Sequence, residues 1–147
     1  MNTPLEPGES PAAPKDTTNL AIRVHMMPKD TNVAGTIFGG VILSLIDQSG
    51  FYQVRRHGVH RWVTVSMDAV EFQRPVWPGD VVSLYTSTEH AGRTSVRVRV
   101  RVLAERFQTG ETVEVTTARL TMVSVDAAGE PIPFANPPSL SPARPET

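Results

Sequence analysis

From Ser95 to Val102 the chain reads Ser95-Val96-Arg97-Val98-Arg99-Val100-Arg101-Val102, valine and arginine in strict alternation after the serine. Period two sorts such a run into two clean faces only on a strand; on a helix the same residues would be spread around the axis. Val96, Val98, Val100 and Val102 share the face to be buried, and Arg97, Arg99 and Arg101 share the other, expected to be solvated or to meet a second subunit. A strand of that kind belongs to an antiparallel sheet with one wet side. Further Val- and Thr-rich runs predict strands at Leu20–Met26, Arg61–Phe72, Val81–Thr88 and Thr112–Val125, with the alternating strand running on to Leu103. Pro75-Val76-Trp77-Pro78-Gly79-Asp80 and Gln108-Thr109-Gly110 carry the turn chemistry between them.

One segment has a different period. Between Thr36 and Gly58, Phe38, Val41, Ile42, Leu45 and Tyr52 recur at helical spacing. Thr36 is the candidate N-cap, Arg55, Arg56 and His57 suit the negative end of the dipole, and Gly58 is the expected stop. Apolar side chains surround the helix, so it is expected to be wrapped. The order strand, long helix, four strands predicts an α+β fold, a five-stranded antiparallel sheet curled around one central helix. So small a core suggests further burial against a partner subunit. Ten of the thirteen prolines lie in residues 1–18 and 131–147. Both tails are expected to be disordered, leaving 19–130 as the folding unit.

At 147 residues the chain has room for one domain. Fourteen Lys+Arg against fifteen Asp+Glu leave a net charge of −1, without the basic excess of a nucleic-acid binder. No apolar run approaches the roughly 18 residues of a membrane span. The N-terminus lacks the basic start and apolar stretch of a secretory signal. The absence of cysteine excludes a disulfide framework, a thiolate metal site and a thiol nucleophile; the expected compartment is the cytoplasm.

Chemistry concentrates between Pro28 and Asp47. Gly39 and Gly40 stand in the first turn of the helix, where each costs about 1 kcal/mol relative to Ala. Either they allow close packing, or their bare N–H groups meet a developing oxyanion at the helix N-terminus. Asp47 sits mid-helix among Gly40, Leu43, Gly50, Phe51 and Val54, with no basic residue three or four positions away. It is either a solvated edge residue or a carboxylate kept for chemistry. Asn32 lies on the loop leading into the helix. His25, His57, His60 and His90 show no metal-ligand spacing, and Asp80 suits a turn.

The stretch from Asn32-Val33-Ala34-Gly35-Thr36-Ile37-Phe38-Gly39-Gly40 through Val41-Ile42-Leu43-Ser44-Leu45-Ile46-Asp47 resembles the signature of the hotdog-fold acyl-CoA thioesterases. Phe72-Gln73-Arg74-Pro75-Val76 with Gly79-Asp80, and Gly92-Arg93-Thr94-Ser95-Val96, resemble two further motifs of that family. The likeness covers residues 20–130. It implies a hotdog fold and a homodimer, often assembled as a hexamer of three dimers. It also implies catalytic roles for Asn32 and Asp47, polarisation of a thioester carbonyl by Gly39 and Gly40, and coenzyme A contacts from Arg93, Thr94 and Ser95. Ala34 departs from close bacterial relatives, which often have asparagine there.

On this resemblance the expected activity is hydrolysis of an acyl-CoA thioester to a carboxylic acid and coenzyme A. Asp47 acts as general base or as nucleophile, and Asn32 positions water or the carbonyl. No metal or redox cofactor is implied, coenzyme A being part of the substrate. Nucleic acid and membrane are not expected partners. A non-catalytic acyl-CoA-binding sensor would keep the pocket without needing both Asn32 and Asp47. A hotdog dehydratase would want a histidine placed for proton abstraction, and the helix offers only His57.

Overall fold

A computed structural model describes residues 18–140. In chain order the elements are β1 (Asn19–His25), a 3-10 turn at Pro28–Asp30, α1 (Gly39–Val54), β2 (Arg61–Met67), β3 (Val81–Ala91), β4 (Ser95–Glu105) and β5 (Thr112–Val125). The strands form one antiparallel sheet in the order β1-β3-β4-β5-β2. The two strands that flank α1 in sequence are thus the two edges. The hairpin-linked β3, β4 and β5 form the middle, and the sheet curls around α1 as the sequence predicts.

The alternation of β4 places it at the centre. Val96, Val98, Val100 and Val102 are each 0% exposed and form the heart of the core with Ile42, Ile46 and Leu120. The arginines occupy the outer face, where Arg97 meets Asp68 and Glu89 and Arg101 meets Glu114. The strand predicted over Arg61–Phe72 ends early, at Met67. Its continuation runs beside β5 through single backbone bonds, Asp68 N to Arg119 O and Gln73 N to Val115 O. β3 is longer than predicted, running to Ala91.

Helix α1 buries Ile42, Ile46, Ser49, Gly50, Gln53 and Val54, while Phe38 and Tyr52 are exposed. Apolar residues on nearly every side had left the buried face unspecified. Thr36 is not the N-cap. Phe38 holds that position with no side-chain cap, because the Thr36 hydroxyl is taken by Asn32. Gly58 is not a left-handed stop either: the helix ends at Val54. Gly58 serves close approach, since a Cβ there would lie 2.5 Å from the Phe134 carbonyl oxygen.

Gly50 sets the spacing between helix and sheet. A Cβ on it would stand 2.4 Å from Leu120 Cδ1 and 3.2 Å from Met122 Sδ, both in the core. Gly50→Val is therefore expected to lower stability by about 1–3 kcal/mol through overpacking, read from the midpoint of urea unfolding.

The C-terminal tail reading is corrected over residues 131–140. Pro131 bridges to Val125, and Phe134 packs on the core and stacks on Trp62 with ring centroids 6.0 Å apart. The buried His60 donates from Nε2 to the Phe134 carbonyl at 2.9 Å and accepts the Ser139 hydroxyl at Nδ1 at 2.8 Å. The Phe134 ring and the backbone of Ile132, bonded to Ser124 through its N–H and its carbonyl, tie down a segment whose prolines suggest disorder. The expectations for residues 1–17 and 141–147 fall outside the described residues.

Candidate active site

Asn32 is the hub of the loop that delivers the chain to α1. Its Oδ1 accepts the Ala34 N–H at 2.9 Å and the Thr36 N–H at 3.3 Å, and its Nδ2 donates to Thr36 Oγ1 at 2.9 Å. Backbone bonds from Asn32 N to Thr36 O and from Gly35 N to Asn32 O, and an isolated bridge from Thr31 to Ile37, close the loop, with Gly35 at φ 87°. The acceptor is therefore occupied. What Asn32 can still offer is its second Nδ2 hydrogen, so it suits donation to a carbonyl better than the activation of water.

The N–H groups of Gly39 and Gly40 have no backbone acceptor among the described residues, as expected for the first turn of a helix. Gly39 faces the edge of the Phe72 ring, which a Cβ would meet at 3.5 Å. At Gly40 a Cβ would strike the Phe38 ring at 2.4 Å, so the glycine lets that ring lie across the start of the helix. Gly39 also lines a cavity of about 190 Å³ walled by Ile37, Ile42, Phe72, Pro75 and Val76. The glycines therefore serve both close packing and a bare helix N-terminus.

Asp47 lies on the exposed side of α1, toward the edge strand β2. Thr64 of β2 donates its hydroxyl to Asp47 Oδ1 at 2.5 Å. The other oxygen, Oδ2, has no partner among the described residues. Beside this pair the β2–β5 register slips between Thr64 and Ser66, a bulge that leaves Val65 56% exposed. Sequence reasoning missed Thr64, because a threonine on a strand is ordinary. The available signal was its alternation with the inward-facing Trp62, which puts a hydroxyl on the helix side of the sheet. Gly50 and Val54, taken from the sequence as neighbours on the Asp47 face, turn instead into the core.

Arg93 and Thr94 lie in the β3–β4 turn and Ser95 opens β4, near the C-terminal end of α1. The Thr94 carbonyl accepts the Ser124 N–H at 2.9 Å, and the Arg93 carbonyl accepts the Phe134 N–H at 3.1 Å. The backbone is thus anchored to the C-terminal segment, while the Arg93 side chain is exposed. Sixteen helical residues separate the two ends of α1, about 24 Å at 1.5 Å per residue. Within one chain the candidate residues fall into three places: the helix start, its middle and its far end.

Two of the four histidines, His57 and His60, make structural contacts, and His90 is exposed. His57 sits against Thr88 Oγ1 at 2.7 Å and Phe134, and burial pushes its pKa down. Asp80 accepts the Trp77 N–H at 2.9 Å and pairs with Arg106 at 2.7 Å, more than a solvated turn residue would need. Among the described residues no group of three His, Asp or Glu side chains is placed to hold a metal, and no helix is long and apolar enough to cross a membrane.

The fold has counterparts among known proteins. The family model of the thioesterase superfamily matches residues 34–119. The uncharacterized acyl-CoA thioester hydrolase YkhA of Bacillus subtilis is 38% identical over 109 residues, 74% of this chain and 63% of that one. The acyl-CoA thioester hydrolase YciA of Escherichia coli is 35% identical over 116 residues, 77% of this chain and 88% of that one. Among solved structures, Cj0915, a hexameric hotdog-fold thioesterase of Campylobacter jejuni, superposes with a TM-score of 0.70 at 40% identity, covering 78% of this chain and 89% of the other. Sheet order, the wrapped helix and a family match over more than half of the sequence agree: the chain belongs to the thioesterase superfamily and has its hotdog fold.

Proposed function

We propose that this protein hydrolyses acyl-CoA thioesters and that each active site is shared between two copies of the chain. The carrying observation is Asp47, a mid-helix carboxylate oriented by Thr64 at one oxygen and free at the other. In the reaction a C–O bond forms from water to the acyl carbon and the C–S bond breaks. The proton removed from water ends on the departing sulfur, giving a carboxylic acid and coenzyme A. Asp47 Oδ2 takes that proton as general base, or attacks the carbonyl first to form an anhydride that water then opens. Both routes need the carboxylate ionised. Gly39 and Gly40 N–H groups, at the positive end of α1, stabilise the oxyanion, and the free Nδ2 hydrogen of Asn32 adds a third donor.

Distance supports sharing. Asp47 lies seven or eight residues beyond Gly40 and Gly39, roughly 11–12 Å along the axis. Two α1 helices packed antiparallel about a two-fold axis bring each N-terminus alongside the other's middle. Among the described residues no strand pairs with the outer edge of β2, and Val65 is exposed on the strand and Phe51 and Tyr52 on the adjacent helix. An uncovered edge and apolar patch of that kind invite a second copy. We assign the dimer contact to it, with the trimer of dimers as the larger assembly, in keeping with the hexameric Campylobacter jejuni relative. The opposed helices also carry Arg93, Thr94 and Ser95 of one chain toward the helix start of the other, where coenzyme A would pass.

The experiment that tests the function is thiol release from acyl-CoAs of graded chain length. Turnover on none of them would leave the sensor reading in its place. A sharper test concerns Thr64. Thr64→Val removes the hydroxyl that orients Asp47 Oδ1 and is expected to lower kcat by about tenfold while KM stays within a few-fold, with Thr64→Ser restoring kcat. An unchanged kcat would mean that Thr64 only packs.

A further inference from the structure

The cavity at the start of α1 is apolar on most sides, and the one charged residue on its lining is Arg74. Five other arginines hold carboxylates: Arg23, Arg97, Arg101, Arg106 and Arg119. The Arg74 guanidinium has neither hydrogen bond nor ion pair among the described residues. Its backbone, by contrast, is fixed on both sides. Gln73 N donates to Val115 O at 2.8 Å, Arg106 donates to Pro75 O at 2.9 Å, and Ile37 N donates to Val76 O at 2.8 Å. Arg106 is held in turn by the buried carboxylate of Asp80. A planar cation presented on a braced backbone and left without an acid is suited to receive an anion.

We propose that Arg74 reads the far end of the acyl group, and that the preferred substrates are short acyl-CoAs ending in a carboxylate. This rests on the reading above, in which the thioester carbonyl lies at the Gly39 and Gly40 N–H groups. With the carbonyl there, the adjoining cavity takes the remainder of the acyl chain. At about 190 Å³ the cavity is small beside ordinary ligand pockets of about 300–1,000 Å³, so it takes a short remainder such as three methylenes and a carboxylate. The walls of Ile42, Phe72 and Val76 take the methylenes, and Arg74 meets the charge at the rim.

Glutaryl-CoA and 5-methylhexanoyl-CoA test this directly, since an isopropyl end replaces a carboxylate of nearly the same shape. For the full chain kcat/KM is expected to favour glutaryl-CoA. In Arg74→Gln the glutaryl to 5-methylhexanoyl ratio should fall by about ten- to a hundredfold, the worth of a charge-assisted hydrogen bond, with part of it kept in Arg74→Lys. Melting curves establish that each variant is folded; should Arg74→Gln not be, the wild-type ratio and the Lys variant decide. A wild-type ratio of one or less, or equal losses on both thioesters, overturns the proposal, equal losses placing Arg74 on the coenzyme. Hydrolysis of 5-methylhexanoyl-CoA without preference sinks this inference alone, whereas no hydrolysis of any acyl-CoA sinks the thioesterase reading beneath it.

Discussion

Asp47→Asn is expected to lower turnover of acyl-CoA by about 10²–10⁴-fold, the usual consequence of losing a catalytic acid/base group. Affinity for the substrate should stay within a few-fold. The amide keeps the shape and can still accept the Thr64 hydroxyl through its oxygen, so the β2 contact survives the substitution. What it loses is the negative charge at Oδ2, which both the general-base and the nucleophilic route require. Calorimetric affinity measured beside turnover separates the two effects. A variant that keeps more than about a tenth of the wild-type rate would move the chemistry to another residue. A variant with intact chemistry and lost binding would make Asp47 a binding residue, contrary to its proposed role.

Legibility in the sequence followed how strongly each residue type is out of place. The valine–arginine alternation of β4 fits no other element, so that strand and its buried face could be read directly. Gly39, Gly40 and Asp47 each carry a cost at a helix position, and a cost invites an explanation. Thr64 carries none on a strand, and only its packing against α1 gives it a role. The buried face of α1 was ambiguous because Phe38 and Tyr52 fit the helical period as well as Ile42 and Ile46. They turn outward because the curled sheet accepts only the stripe through Gly50, whose missing side chain lets Leu120 in. The segment after β5 misled by composition: its prolines mark an irregular path, while Phe134 and Ser139 hold that path against His60 and Trp62. Asn32 was legible as a loop asparagine, but which of its atoms remain free depends on hydrogen bonds to Ala34 and Thr36 that only the folded loop defines.

Mixing Asn32→Ala chains with Asp47→Ala chains is expected to restore about a quarter of wild-type activity from two preparations that are each nearly inactive. If Asn32 and the helix start of one subunit face Asp47 of the other, a heterodimer holds one site with both residues intact and one with neither. Random exchange of equal amounts makes half of the dimers mixed, and half of the sites in those are whole, which gives the quarter. The spacing along α1 argues for this arrangement, because roughly 11–12 Å of helix axis separates the glycine N–H groups from Asp47 within one chain. Asn32, tied into the loop before the helix by Thr36, belongs with the glycines and not with the carboxylate. Subunit exchange is driven by brief incubation in mild denaturant and dilution, and activity is followed against the fraction of mixed dimer. Recovery that rises with that fraction supports the shared site. If Asn32 and Asp47 served the same site from one chain, every site in the mixture would lack one of them. Activity would then stay at the level of the separate variants, and the two-fold arrangement of the active site would have to be given up.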